Sequence, residues 1–108
     1  MNPTKNLEEN TQLIESVIKH VAELNSITPS ELKGRDRKAK FTYPRQMVQY
    51  VIYSCTECST YDLGRYFGKS HTNILRSVNK IRGYMDYDKA LKARIEWIIE
   101  DFYLKRIK

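Results

Sequence analysis

Three stretches of this 108-residue sequence hold residue types at spacings that chemistry uses. Cys55-Thr56-Glu57-Cys58 is a CxxC pair, the spacing found in zinc sites and dithiol redox centres. Zinc would need two further ligands, and the two histidines, His20 and His71, stand at no familiar zinc spacing. Redox work would want a strand–helix setting. Cys55 instead continues an apolar helical stripe, so a buried and inert thiol is expected. Gly64-Arg65-Tyr66-Phe67-Gly68-Lys69-Ser70 looks like a phosphate-binding loop, but that loop has four residues between its glycines and follows a strand. Here there are three, after a helix turn. No serine–histidine–carboxylate cluster stands out either. The reading therefore contains no catalytic residue, no metal and no cofactor.

The third stretch is Ser59–Arg82, STYDLGRYFGKSHTNILRSVNKIR, which reads as two helices joined by a tight turn. Leu63, Tyr66 and Phe67 give the first helix an apolar face, with Ser59 or Thr60 as its N-cap. Gly68 supplies the turn, because a residue without a side chain tolerates the left-handed conformation that ends a helix. Ser70 caps a second helix from His71. At about 100° per residue, Ile74, Leu75, Val78 and Ile81 gather on one side, with Thr72, Asn73, Arg76 and Lys80 on the other. That polar side is short-chained at its N-terminal end, cationic further along and free of carboxylates. A helix that reads base edges in the DNA major groove needs this arrangement. An ordinary solvated basic face would show it too.

Charge distribution favours the first reading. Of the net +6, residues 33–45 contribute +5, from Lys33, Arg35, Arg37, Lys38, Lys40 and Arg45 against Asp36. Residues 65–83 contribute another +5, with no acid, so the rest of the chain is net negative. Solvated faces usually mix signs, and two acid-poor blocks point to a polyanionic partner. The length suits one domain. No apolar run approaches a membrane span and no secretory leader is visible. Two cysteines fit free thiols in a reducing cytoplasm, and a DNA-bound protein there would be nucleoid-associated.

The elements that would position these residues all have helical spacing. Met1–Asn6 is expected to be frayed. Leu13, Ile14, Val17, Ile18, Val21 and Leu24 mark a helix over residues 7–25, with His20 packing or solvated beside the stripe. Thr28-Pro29-Ser30-Glu31 is a capping box that opens a short helix ending near Gly34. Residues 33–43 lack apolar periodicity and are expected to form a basic loop, either a solvated linker or an arm along DNA. Pro44 suits the first turn of the next helix, whose core face is Met47, Val48, Val51, Ile52 and Cys55. After the helix-turn-helix at 59–83 comes a break at Asp86-Tyr87-Asp88. A last helix over 88–105 follows, with Leu91, Ile95, Ile98 and Phe102 as its stripe. Trp97 and Ile99 widen that stripe, enough to cover the core or meet a second subunit.

The order of a short capped helix, a basic loop, Pro44-Arg45-Gln46 opening a helix, and then Phe67-Gly68 and His71-Thr72 in a helix-turn-helix resembles a known family. It is similar to the C-terminal duplex-DNA-binding domain of the bacterial replication initiator DnaA, a fold like that of the Trp repressor. The resemblance covers roughly Val21–Phe102. It implies a compact all-α, multi-helix domain with a central helix-turn-helix. It also implies base reading by Ser70, His71, Thr72 and Asn73, phosphate contacts by Arg45 and Gln46, and a minor-groove arginine at Arg37 or Arg35. The chain departs from the family pattern in a turn one residue shorter and in Ser70 for aspartate. It also has Asn73 for a second threonine, and Thr60-Tyr61 for leucine-proline.

The combined expectation is a sequence-preferring double-stranded DNA-binding domain that serves replication control or transcriptional regulation. Ser70, His71, Thr72, Asn73 and Arg76 would contact bases. Arg35, Arg37, Lys38, Lys40, Arg45, Gln46, Thr60, Tyr61, Lys69 and Lys80 would meet the minor groove or phosphates. Neither membrane nor metal is expected as a partner; a homodimer or a larger replication or regulatory assembly is compatible with this surface. The alternative is an interaction adaptor or dimerising regulator that kept the fold and lost DNA binding.

Overall fold

Local capping and turn chemistry set the element boundaries. In the computed structural model, the backbone of residues 3–107 and the side chains of residues 11–101 are described. The elements are α1 (Pro3–Leu24), α2 (Pro29–Lys33), α3 (Ala39–Cys55), α4 (Thr60–Phe67), α5 (His71–Tyr87) and α6 (Lys89–Ile107). No strand occurs among the described residues. The fold is all-α with a helix-turn-helix at its centre, the class expected from the sequence.

Thr28 caps α2 as the capping box requires: its hydroxyl accepts from the Glu31 amide at 3.1 Å, and Glu31 accepts from the Thr28 amide at 2.9 Å. Ser59, rather than Thr60, caps α4, accepting from the Asp62 amide at 3.1 Å. Asp88 serves two helices. Its amide donates to the Tyr84 carbonyl at the end of α5, and its carboxylate accepts from the Leu91 amide at 3.0 Å at the start of α6. Two helices thus meet with a single residue between them.

One core joins these helices. α5 packs across α3, α3 against α1, and α4 against α5. Ile18 and Val21 from α1, Leu32 from α2, Val48 and Ile52 from α3, Leu63 from α4, and Ile74 and Ile81 from α5 are fully enclosed, together with Ile95 of α6. Each such side chain contributes about 1.5–3 kcal/mol relative to exposure. Cys55 and Cys58 are both buried in the same core. Among the described residues no group of three histidine, cysteine or carboxylate side chains gathers to hold a metal. No helix among them is long and apolar enough to cross a membrane.

Four expectations need correction. The first helix starts at Pro3 rather than near Leu7, and Met1 and Asn2 of the segment expected to fray lie outside the described residues. Proline fills a first helical position well, since the amide it lacks would be unpaired there anyway. The basic loop is shorter than 33–43. Only Gly34–Lys38 is non-helical, and α3 starts at Ala39, with Pro44 as its sixth residue. The Asp36 carboxylate accepts from the Lys38 amide at 2.9 Å, and Phe41 turns its ring inward to 7 % exposure. Those two contacts start the helix early enough that Pro44 merely fails to donate to the Lys40 carbonyl one turn back. Third, α5 continues past residue 83 to Tyr87. Fourth, Leu75 is 41 % exposed, and Ser77 takes the expected place on the buried side, its hydroxyl donating to the Asn73 carbonyl at 3.2 Å. The Phe102 side chain lies outside those described.

Candidate nucleic-acid interface

Two close contacts fix how α4 meets α5. Gly68 is left-handed, with φ 66° and ψ 38°, and its amide caps α4 on the Gly64 carbonyl. The Lys69 amide donates to the same carbonyl at 2.8 Å. A Cβ at Gly64 would stand 2.5 Å from the Lys69 carbonyl oxygen, so only glycine lets the turn fold this tightly onto its helix. Ser70 then caps α5, its hydroxyl oxygen accepting from the Asn73 amide at 3.1 Å.

The buried side of α5 is Ile74, Ser77, Val78 and Ile81. On the helical wheel the opposite side centres on Thr72, Arg76 and Asn79. Asn73 and Lys80 flank it on one edge, His71, Leu75 and Arg82 on the other. Every one of these side chains is exposed. Thr72, Arg76 and Lys80 make no side-chain hydrogen bond or ion pair with described residues, so their polar groups are available outward.

Between the Gly34–Lys38 arm and the helix-turn-helix runs an open groove of about 670 Å³. Arg35 and Arg37 line it from the arm, Arg45 and Gln46 from α3, Lys69 from the turn and Asn73 from α5. Lys33 and Arg65 also line it, each paired with a carboxylate outside the lining (Glu15 at 3.4 Å, Asp62 at 3.2 Å), and no carboxylate lines it. Gln49 and Ser77 form its polar floor, at 4 % and 8 % exposure. Low-dielectric walls carrying one sign of charge focus the potential on whatever enters.

Elements of the scaffold pin the groove's two walls. Glu15 of α1 accepts from the Tyr66 hydroxyl of α4 and pairs with Lys33 of α2 at 3.4 Å. Burial and that bond to Glu15 push the Tyr66 phenol well above its usual range, so it remains a donor. Arg45 is half-buried, and its guanidinium faces backbone: Nε donates to the Leu32 carbonyl, Nη1 to Asp36 at 2.7 Å and Nη2 to Glu31 at 3.2 Å. Burial lowers its pKa, against the opposing pull of Asp36. At the far edge of α5, Tyr61 stacks on His71 with ring centroids 4.2 Å apart and planes at 23°.

A family model described as "Bacterial dnaA protein helix-turn-helix" matches residues 14–81, which include both walls of the groove. The chain belongs to the bacterial DnaA helix-turn-helix family. Among curated relatives it is 38 % identical over 83 residues to the chromosomal replication initiator protein DnaA of Treponema denticola, covering 76 % of this chain and 18 % of that protein. The DnaA of Geotalea daltonii is 38 % identical over 84 residues, 77 % of this chain and 19 % of the relative. That of Deinococcus radiodurans is 33 % identical over 79 residues, 73 % and 17 %. The chain thus spans less than a fifth of the length of these relatives.

Within this DnaA-type domain, the expected site residues fall into three groups. Arg35, Arg37, Arg45, Gln46, Lys69 and Asn73 come together around the groove. Ser70, His71, Thr72, Arg76 and Lys80 continue along the exposed side of α5, with Thr60 and Tyr61 at the start of α4. Lys38 and Lys40 are exposed but do not line the groove, and Lys40 lies over the Phe41 ring at 5.0 Å. Sequence reasoning passed over Asn79, central on the outward side of α5, and Leu75, an apolar side chain exposed beside His71. Taking Ser77 as buried would have rotated the wheel enough to find both.

Proposed function

We propose that this chain binds double-stranded DNA with sequence preference, with α5 in the major groove and the Gly34–Lys38 arm on the adjoining minor groove or backbone. One observation carries the reading: an acid-free groove has the arm on one wall and the helix-turn-helix on the other. His71, Thr72, Asn73 and Arg76, with Ser70 at the cap, are the base-reading set. Ser70 keeps a proton and a lone pair beyond its capping bond. Arg35 and Arg37 enter the minor groove, where negative potential attracts arginine. Gln46, Thr60, Tyr61, Lys38, Lys40, Lys69 and Lys80 meet phosphates. That the relatives are chromosomal replication initiator proteins points to replication control as the process served. No catalytic step is assigned to the chain.

Selection of bound duplexes from a random pool tests binding and preference together. With about six phosphates contacted, log affinity should fall with log salt at a slope near −5. A slope near zero, or no binding to random duplex at low salt, would sink the reading and leave an interaction adaptor in its place.

A further inference from the structure

Arg45 has the charge of a phosphate contact but the geometry of something else. Three of its five N–H donors are spent on backbone carbonyls: Glu31 and Leu32 at the end of α2, and Asp36 in the middle of the arm. At the end of this five-residue helix the Leu32 carbonyl has no helical partner, and the Glu31 carbonyl has only the capping Gly34 amide. The arm's other bonds among the described residues lie toward its ends: the Gly34 amide donates to the Glu31 carbonyl at 3.2 Å, and Lys38 donates its amide to the Asp36 carboxylate at 2.9 Å while its carbonyl accepts from the Phe41 and Thr42 amides at 2.9 and 3.0 Å. A planar guanidinium can reach three acceptors in fixed directions, which an ammonium cannot. The Asp36 carbonyl it grips lies between Arg35 and Arg37, the two arm residues that line the groove.

We propose that Arg45 is a positioning residue: by gathering the Glu31, Leu32 and Asp36 carbonyls it holds the arm so that Arg35 and Arg37 face the groove beside α5. Its consequence for binding rests on the duplex-DNA reading, whereas the clamp itself is a property of the free protein. Without it the arm must be ordered at the moment of binding, and that ordering is subtracted from affinity.

Two variants of the full chain separate geometry from charge. Arg45→Lys keeps the charge and loses the fork; Arg45→Met keeps the stem and loses both. In the free protein, amide hydrogen exchange at Gly34 and Lys38 should quicken in both variants while α5 stays protected. Unchanged exchange in the arm would overturn the proposal. So would loss of protection throughout α5, which would make Arg45 a determinant of the whole fold. On the duplex enriched from the random pool, both variants should lose affinity alike, by about tenfold. The same changes made in an Arg35→Ala/Arg37→Ala background should cost less than about twofold, because their effect passes through the arm. Parent-like binding by Arg45→Lys, or equal losses in both backgrounds, would mark a direct phosphate contact and overturn the positioning role. If the parent binds no duplex, the functional reading fails by itself, and the exchange measurement still decides the clamp.

Discussion

Asn73 sits where the groove meets the exposed side of α5, and its side-chain carboxamide makes no hydrogen bond with described residues. An amide so placed can accept from and donate to adenine at once, a contact worth about 1–3 kcal/mol of discrimination. Asn73→Ala should therefore relax preference at one base position by about tenfold or more. Lys80→Ala should weaken all duplexes alike and reduce the salt slope by about one. Competition against single-base variants of the selected site distinguishes the two behaviours. Tyr61 calls for a different comparison. Its ring lies flat against His71 and so holds the imidazole, a role separate from the phosphate contact proposed for its hydroxyl. Tyr61→Phe should keep the parent's base preference, whereas Tyr61→Ala should shift it at the same position as His71→Ala. A uniform loss over all sites in Tyr61→Ala would reduce Tyr61 to a phosphate contact.

At the level of elements, the turn between α4 and α5 is decided by glycine. Gly64→Ala would bring a Cβ to within 2.5 Å of the Lys69 carbonyl oxygen, a backbone atom that cannot swing away. The change should cost about 1–3 kcal/mol in urea denaturation and reduce duplex binding, because α5 loses its setting relative to the arm. Ser70→Ala removes the cap on α5 and should cost about 1 kcal/mol; Ser70→Asp should retain stability, because aspartate caps equally well and suits the positive end of the helix dipole. The helix-turn-helix was legible in the sequence because Ser59, Gly68 and Ser70 are local signals acting within a few residues of themselves. The start of α3 was not. It depends on Phe41 finding the core and on Asp36 reaching the Lys38 amide, while the nearby proline carried the stronger apparent start signal. The two basic blocks could be counted in the sequence, but their meeting across one groove depends on α3 packing against α2 and α5. Arg45 shows the same divide: its charge was visible and its three carbonyl partners, up to fourteen residues away, were not.

For the molecule as a whole, the shifted groups set its response to alkali. Burial foremost, and Asp62 second, push the Cys58 thiol up from 9.0 to about 11. An unfolded chain ionises that thiol near 9.0, so its contribution to stability is complete below pH 9 and drains away as pH rises to about 11. Tyr66 is shifted in the same direction and extends the loss to higher pH. Urea denaturation between pH 8 and about pH 11 should show stability falling, with a shallower fall in Cys58→Ala. An equal slope in that variant would place the alkaline sensitivity elsewhere. A larger consequence follows from the turn onto Gly64. With Lys69 folded against that glycine and α5 joined to α6 through Asp88 alone, little in the helix-turn-helix can flex to suit an ill-fitting site. On a bound duplex the yielding partner is then the nucleic acid: sites whose pyrimidine–purine steps bend easily should be preferred even at base pairs no side chain touches.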